Sequence, residues 1–328
     1  MQRMSQEVRR FLRHAASFVV IALMLYAGLY AASEWLVCRH ADRNRFFMIK
    51  TAPHARYDAV ILGASHAAVF GYRDMNIRLE AMTSSKIINL AVVGGGVAVN
   101  RLLLEYFLAR HDTTTVVYVL DSFAFYSPEW NENRFEDARL FARAPFDPVL
   151  ARLLLESSAS LSVVLDYIAG FSKINNNDRF APDTPADEGP RFDRAYRAVP
   201  QIDRQRVEYL YPDAMDDRVR ATRDHYFGEL VELIGRLRER GIRLIVVRPP
   251  IPERYRRLLP GEDEFDAALR ALLDSHRVEL HDWSRVSNDD TLFFDTDHLN
   301  QRGLLQLFEH HLTPTLRPGW LPAQGMAR

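Results

Sequence analysis

The feature that most constrains this chain is an apolar run near its N-terminus. Residues 15–33 are 19 consecutive residues without a charge (AASFVVIALMLYAGLYAAS). As a helix, a run of that length can cross the roughly 30 Å hydrocarbon core of a bilayer. Tyr26, Tyr30 and Trp35 lie toward its far end, where aromatic side chains favour the boundary between lipid and water. The sequence therefore predicts a transmembrane anchor.

A cleaved signal peptide is the alternative interpretation, because Ala31 and Ser33 place small residues at a plausible cleavage site. The run is longer than the roughly 7 to 15 apolar residues of a signal peptide, which favours the anchor. Four basic residues precede the run and four lie within residues 39–50, so the flanking charges leave the orientation undecided. The short N-terminal tail favours a signal-anchor with the large domain outside the cytoplasm.

The composition excludes several classes of protein. The chain of 328 residues has 42 basic and 43 acidic side chains, a net charge of −1, and 48% of its residues are hydrophobic. It is therefore neither a disordered chain nor a nucleic-acid binder that acts through bulk charge. Cys38 is the only cysteine, which excludes an internal disulfide and a multi-thiolate metal site. No set of His, Asp and Glu has metal-ligand spacing, so we expect no metal and no cofactor.

Short β-branched runs alternate with longer amphipathic stretches from Tyr57 onward, which is typical of a parallel sheet covered by helices on both faces. The predicted strands are residues 58–62, 86–90, 116–121, 243–247 and 278–281. The predicted helices are residues 76–82, 99–110, 214–240, 264–275 and 301–311. The pattern predicts an α/β fold.

The sequence divides into four parts. They are, in order, a tail with the anchor (1–38), a linker (39–56), an α/β domain (57–315) and a C-terminal tail (316–328). About 120 residues separate the third and fourth strands, and they include the polar, proline-rich tract 175–190. Loops that long are usually functional or disordered. Residues 122–212 are therefore predicted to form a partly helical insertion or lid with a mobile middle.

Residues suited to nucleophilic catalysis follow the predicted strands. In an open parallel sheet, ligands bind beyond the carboxyl ends of the strands. Ser65 follows the first strand, and Asp295 and His298 form an Asp-x-x-His motif before the last helix. A serine, a histidine and an orienting carboxylate are the parts of a catalytic triad. Two of them have structural alternatives, since Ser65 could cap a helix and His298 could be a surface histidine.

Three motifs at these strand ends resemble the SGNH (GDSL-like) hydrolase superfamily. They are ILGASH at residues 61–66, NLAVVGGG at 89–96 and DTDHLNQRG at 295–303. More narrowly, the chain is similar to the membrane-anchored branch that includes the D-alanyl transfer protein of teichoic-acid D-alanylation and the alginate acetylation proteins. The resemblance covers residues 57–121 and 243–312. It implies a three-layer, flavodoxin-like parallel sheet with a long insertion after strand three.

The resemblance also implies roles for individual residues. Ser65 would be the nucleophile, His298 the general base and Asp295 the carboxylate that orients the imidazole. Gly94 or a neighbouring glycine would give a backbone N–H to the oxyanion hole. The chain departs from the family at strand three, where Leu120-Asp121-Ser122-Phe123 replaces the usual Gly-x-Asn-Asp and its oxyanion asparagine.

Other residues near the strand ends are open to two interpretations. Asp121 and Arg248 are candidates for substrate binding, and a structural ion pair between them is the alternative. His66 is interpreted as packing beside the turn or touching substrate, outside the catalytic set. Asp297 and Asn300 are interpreted as helix caps. The glycines at 94–96 lack the spacing and the lysine of a phosphate-binding loop, so a nucleotide site is not expected.

Three functions follow from these observations. The first is a membrane-anchored esterase or O-acyltransferase that acts on cell-envelope polysaccharide or a related acylated polymer, with the membrane and a multi-span membrane acyltransferase as partners. The second is a catalytically silent relative that binds polysaccharide or serves as a scaffold, and the missing asparagine favours it. The third is a lipase-like enzyme acting on phospholipid or small esters. Nucleic acid is not an expected partner of any of them.

Overall fold

The structure is a computed structural model that describes residues 6–39, 41, 43–175 and 191–317. Most of the tract predicted to be mobile, residues 176–190, lies outside the described residues. The same is true of residues 318–328 in the predicted C-terminal tail.

Five parallel strands form the central sheet. They are β1 (Arg56–Gly63), β2 (Ile87–Asn89), β3 (Asp112–Val119), β4 (Arg243–Arg248) and β5 (Glu279–Asp282). Their order in the sheet is β2-β1-β3-β4-β5, and every neighbouring pair is parallel. The predicted parallel α/β sheet is therefore confirmed. The strand order reverses at β1, which places a ligand site beyond the carboxyl ends of β1 and β3.

Helices connect the strands. The described α-helices are α1 (Gln6–Cys38), α2 (Arg45–Thr51), α3 (Ser65–Ala68), α4 (Met75–Thr83), α5 (Val97–Leu108), α6 (Ala138–Phe141), α7 (Pro148–Glu156), α8 (Leu161–Ala169), α9 (Phe171–Ile174), α10 (Pro200–Leu210), α11 (Asp217–Glu239), α12 (Glu253–Arg256), α13 (Glu262–Ser275), α14 (Gln301–Leu307) and α15 (Thr313–Leu316). A π-helical turn at Phe308–Leu312 joins α14 to α15, where the sequence predicts one helix. Short 3-10 turns lie at Val69–Gly71, Ser122–Phe125, Pro128–Trp130, Asn133–Glu136 and Asp290–Leu292.

Apolar side chains cover both faces of the sheet. Side chains alternate between faces along a strand, so Val60 and Leu62 of β1 enter a larger core cluster while Ala59 and Ile61 enter a smaller one. The larger cluster includes residues of α5, α11 and α13, and the smaller one includes residues of α3, α4 and α14. Both faces of the sheet are therefore closed to solvent, so a ligand can reach the sheet only at the ends of its strands.

The described residues between β3 and α11 pack against the domain. Helices α6 to α10 lie in this segment. Phe123, Phe125 and Trp130 are at most 6% exposed and belong to the larger core cluster, as does Tyr167 of α8. The described part of this segment therefore contributes to the same core as the sheet.

The interval predicted as a linker contains helix α2. The side chain of Asn44 caps this helix by accepting hydrogen bonds from the N–H groups of Phe46 and Phe47. Phe46 and Ile49 are fully buried in the larger core cluster. The interval 39–56 that the sequence assigns to a linker therefore includes a short helix that packs in the domain core, and its four apolar residues, 46–49, form too short a pattern to be recognised among basic residues.

Helix α1 contains the apolar run. It has 33 residues, and its most apolar stretch of 18 has a mean hydropathy of 2.0 with none of that stretch buried. By length and composition this helix can cross a membrane.

Candidate active site

A sharp turn at the end of β1 positions Ser65. Gly63 has φ +144°, and a Cβ at this position would lie 2.5 Å from the carbonyl oxygen of Val119 and 2.8 Å from Cβ of Ala67. Only glycine fits such a turn between a strand and a helix. Ser65 is thereby the first residue of α3 and is 7% exposed. Its Oγ forms no hydrogen bond with any residue that the structure describes.

A second turn holds Asp295 against His298. One carboxylate oxygen of Asp295 accepts hydrogen bonds from the backbone N–H of Asp297 (3.2 Å) and of His298 (2.9 Å). The same oxygen lies 2.9 Å from Nδ1 of the His298 ring. The short spacing of the Asp-x-x-His motif therefore fixes the imidazole through its Nδ1. Nε2 is buried and has no hydrogen-bond partner among the described residues.

A further carboxylate, that of Asp297, reaches the same nitrogen. Its Oδ1 lies 3.2 Å from Nδ1 of His298, and the side chain is only 1% exposed. On its other side, Arg206 of α10 lies 3.4 Å away. Burial disfavours the charge of Asp297, but His298 and Arg206 outweigh it and hold the pKa of this carboxyl far below its usual range.

The two carboxylates change the titration of His298. Burial disfavours the charged imidazolium, but Asp297 and Asp295 outweigh it and raise the pKa of His298 well above its usual range. The side chain of Asp295 is 42% exposed, so water screens it more than it screens Asp297. A histidine in this setting keeps its proton at neutral pH, whereas a general base must be free of it.

His66 lies directly over His298. The two rings stack with centroids 4.7 Å apart. Nδ1 of His66 lies 2.8 Å from Oδ1 of Asp121, and Nε2 lies 3.1 Å from the backbone oxygen of Asp297. Both ring nitrogens of His66 therefore lie within hydrogen-bond distance of an oxygen. His66 therefore connects the ends of β1 and β3 to the turn that holds His298.

The glycine loop after β2 runs beside the Ser65 turn. The N–H groups of Leu90 and Val92 donate to the carbonyls of Ile61 (2.9 Å) and Gly63 (3.1 Å), which continues the pairing with β1. Gly94 follows with φ +69°. Its N–H donates to no residue that the structure describes.

Arg248 and Asp121 have separate partners. Arg248 is 3% exposed, donates to the carbonyl of Leu120 (2.8 Å) and forms ion pairs with Glu262 and with Asp266 (3.2 Å). Asp121 pairs with His66 instead. The predicted alternative, an ion pair between Asp121 and Arg248, is not found in the described part of the chain. Their predicted contact with substrate remains a prediction.

A small cavity lies between these groups. It has about 20 Å³ of space for the centre of a water molecule, and its walls include His66, Asp121, Arg248, Tyr255 and Glu262. Oδ2 of Asp121 and the hydroxyl of Tyr255 are buried there without a hydrogen-bond partner among the described residues. The cavity has room for a single water, which these two groups could hydrogen-bond, and it is too small for a sugar ring.

Three of these side chains could offer ligands to a metal ion. Ligand atoms of His66, Asp297 and His298 lie within 4.8 Å of one another. Each is already engaged, since Asp297 pairs with Arg206 and both histidines face carboxylates. A zinc ion binds its ligands at about 2.0–2.2 Å, so all three would have to move inward. The residues fit an ion-pair network better than a metal centre.

Sequence reasoning missed part of this cluster. Asp297, interpreted as a helix cap, is the buried ion-pair partner of His298, while Asn300 caps α14 by accepting from the N–H of Gly303. Arg206 carried no signal in the sequence because it reaches the site from α10, 91 residues before Asp297. The contact between His66 and Asp121 could have been found from the sequence. His66 follows β1 and Asp121 follows β3, and neighbouring parallel strands end at the same edge of the sheet.

Comparison with known proteins gives little more. No protein-family model and no curated protein matches this chain. One solved structure to which it is similar is the crystal structure of a candidate acylhydrolase from Bacteroides fragilis, which is 11% identical. The match covers 81% of this chain and 90% of that chain, with a TM-score of 0.37. A score below 0.5 does not establish a shared fold, so the chemistry is argued below from this chain's own residues.

Proposed function

We propose that this chain is a membrane-anchored serine esterase or O-acyltransferase with an SGNH-type, three-layer flavodoxin-like domain. Its substrate is a cell-envelope polysaccharide or a related acylated polymer, on the periplasmic side of the bacterial inner membrane. The observation that carries the proposal is the state of His298. Its Nδ1 is held by Asp295 at 2.9 Å, while Nε2 is buried with no hydrogen-bond partner among the residues described, at the end of the sheet where Ser65 begins α3.

In the proposed reaction, Oγ of Ser65 attacks the carbonyl carbon of an ester, and Nε2 of His298 takes the hydroxyl proton. The carbon–oxygen bond to the alcohol breaks, and that alcohol receives the proton from His298. Asp295 and Asp297 stabilise the imidazolium that exists between these steps. The free N–H of Gly94 is the proposed donor to the oxyanion.

The acyl group on Ser65 then passes to water or to a hydroxyl of an acceptor, with His298 acting as base again. The same residues serve both outcomes. An anchor raises the local concentration of acyl donors and acceptors held near the bilayer, which favours envelope polymers over dilute solutes. A multi-span membrane acyltransferase that supplies the acyl group is the partner that this proposal implies.

Two further residues support the site in this proposal. Asp121 fixes His66, which in turn packs on His298 and contacts the backbone of Asp297. Arg248 is fixed by Glu262 at the far wall of the small cavity. The cavity has room only for a water, so these two residues would meet substrate through a water held there, and the polymer itself would lie on the open side of Ser65.

Two observations favour the second candidate, a catalytically silent relative that binds polysaccharide or serves as a scaffold. Oγ of Ser65 makes no hydrogen bond to His298 in the structure. The raised pKa of His298 also leaves its imidazole protonated at neutral pH. Catalytic hydrogen bonds are often long in enzymes without substrate, so geometry alone does not separate the two candidates.

A fluorophosphonate probe, which reacts with activated serines, separates them. The full-length protein is treated at pH 7 and pH 9, alongside Ser65→Ala and a control, Ser162→Ala, which alters an exposed serine of α8. The proposal expects labelling that increases at pH 9, is lost in Ser65→Ala and persists in Ser162→Ala. It also expects acetate release from acetylated glycan. Binding of glycan without labelling at either pH would support the silent candidate, and hydrolysis of phospholipid alone would support a lipase.

A further inference from the structure

We infer that helices α8 and α9 lie in the headgroup layer of the membrane that α1 crosses, giving the domain a second contact with lipid. The inference rests on the proposed anchor and goes beyond it. It concerns a surface of the domain that is separate from the candidate active site.

Helix α1 is joined to this pair of helices by specific polar contacts. The hydroxyl of Tyr26 donates to the carbonyl of Ala169 at 2.7 Å, at the end of α8. Nζ of Lys173 in α9 lies 2.6 Å from a carboxylate oxygen of Glu34. Lys173 is fully buried, while the side chain of Glu34 is 25% exposed. The outer part of α1 is therefore attached to the domain and does not stand apart from it.

Gly170, between α8 and α9, allows this close contact. Its φ is +71°, and a Cβ there would lie 2.0 Å from Cε2 of Tyr30. Both the backbone conformation and the space require glycine. The ring of Tyr30 therefore packs directly on the turn between the two helices.

The order of these contacts sets the depth of α8 and α9. Tyr26, Tyr30 and Glu34 meet residues 169, 170 and 173 in that order along α1. Tyr26 lies seven residues before Ser33, where the apolar run ends. At about 1.5 Å per residue, this is roughly 10 Å inside the run. Interfacial helices enter the bilayer to about 5–10 Å, so the end of α8 lies at that depth.

The outward face of α8 has the chemistry of a lipid contact. Leu161, Leu165 and Ile168 are 66%, 56% and 39% exposed, and their spacing places them on one side of the helix. Phe171, at the start of α9, is 62% exposed. In water such a patch is costly. At the depth of Tyr26, this patch lies against the boundary of the hydrocarbon core and is removed from water.

The polar groups of α8 are turned away from that face. Asp166 is its only charged residue, and one carboxylate oxygen of Asp166 accepts from the N–H of Ser172 at 3.0 Å. Val164 and Tyr167, on the side of the helix next to this face, are 2% and 1% exposed in the domain core. The outer face carries no charge and lies on helices that contact the membrane-spanning α1, which favours lipid as the occupant over a soluble protein.

The test uses the full-length chain in nanodiscs that contain brominated phosphatidylcholine, whose bromines quench a nearby fluorophore. Cys38 is the only cysteine, so Cys38→Ser gives a background in which one new cysteine carries an NBD label. Leu165→Cys tests α8. Leu23→Cys reports the anchor, and Arg302→Cys, at α14, is a control in the domain. Leu23 and the Arg302 side chain are each 62% exposed, close to Leu165.

We expect the label at position 165 to be quenched and shifted to shorter wavelength as at position 23, and the label at 302 to be neither. Quenching at 23 with position 165 resembling 302 would overturn the inference and leave the anchor standing. Loss of quenching at position 23 would overturn the anchor as well. A blue shift at 165 without bromine quenching, growing with the number of copies per disc, would assign the patch to a second copy of this chain.

Discussion

Oδ1 of Asp297 lies 3.2 Å from Nδ1 of His298, the nitrogen that Asp295 already hydrogen-bonds. A serine triad needs one carboxylate to orient its histidine. Here two carboxylates share the task, and Asp297 is the more deeply buried of the two. The arrangement stabilises the protonated histidine, so pH affects the proposed reaction and the stability of the fold in opposite directions.

The first prediction concerns the pH dependence of activity. We expect esterase activity to rise above neutral pH, because His298 must lose its proton before it can accept one from Ser65. Asp297→Asn removes the main cause of the raised pKa of His298, so the rise should occur at lower pH. The measurement is kcat/KM against pH for both proteins. Asp217→Asn, which alters a fully exposed carboxylate, is the control, and identical profiles for the wild type and Asp297→Asn would contradict the prediction.

The second prediction concerns stability. The pKa of His298 is raised above its unfolded value of about 6.5, so its charge stabilises the fold fully below that pH. This contribution is lost as the pH rises through the folded-state pKa. The free energy of unfolding of the wild type should therefore exceed that of His298→Gln by less at pH 9 than at pH 6. Chemical denaturation at the two pH values measures this, and a constant difference would be evidence against it.

The third prediction treats the triad as a unit. Ser65→Ala and His298→Ala should each lower kcat by roughly 10³-fold or more, because neither residue performs the proposed step without the other. The double variant should lose little more than either single variant. Steady-state kinetics on the three proteins decides this. Losses that multiply in the double variant would show that the two residues act independently.

The fourth prediction concerns His66. His66→Phe keeps an aromatic ring over His298 but leaves the carboxylate of Asp121 buried without its partner. We expect this variant to lose about 1–3 kcal/mol of unfolding free energy. Adding Asp121→Leu removes the orphaned group and should restore part of the loss. Chemical denaturation tests the pair. In an enzyme assay, His66→Phe should lower kcat with KM little changed, as expected of a positioning residue.

The fifth prediction concerns the contact between α1 and the domain. Gly170→Ala and Gly241→Ala replace glycines with similar φ values, +71° and +66°. Each should lose about 1–2 kcal/mol through backbone strain. Only position 170 lacks space for the new methyl group, because Tyr30 occupies it, whereas nothing lies within 4 Å at position 241. Gly170→Ala should therefore melt at a clearly lower temperature, and Tyr30→Ala should relieve the difference. Equal melting temperatures for the two alanine variants would argue against the contact.

The features that the sequence could predict depend on residues that lie close together in the chain. The strands follow from β-branched runs, although β3 begins at Asp112, before the predicted 116, because polar threonines there pair with the start of β1. The contact between Asp295 and His298 follows from three residues of spacing within one turn. Such features need no knowledge of distant parts of the chain.

Contacts between distant segments explain what was missed. Asp297 and Arg206 meet only because α10 packs near the last turn, and neither residue has a local pattern that identifies its partner. Glu262, which fixes Arg248, begins helix α13 and looks in sequence like an ordinary acidic residue at a helix start. The identity of a buried ion pair depends on the packing of whole helices, which the spacing of residues does not encode.

The junction between α1 and α9 has a consequence for how the proposed enzyme would meet its substrate. Because Glu34 and Lys173 join the helix to the domain, the domain has no free tether on which to swing. It would travel only by lateral diffusion, with Ser65 at a constant height above the bilayer. A polymer that extends away from the membrane would then be modified only in the segment that lies at that height. The positions of the acyl groups along the polymer would therefore reflect the distance of Ser65 from the bilayer.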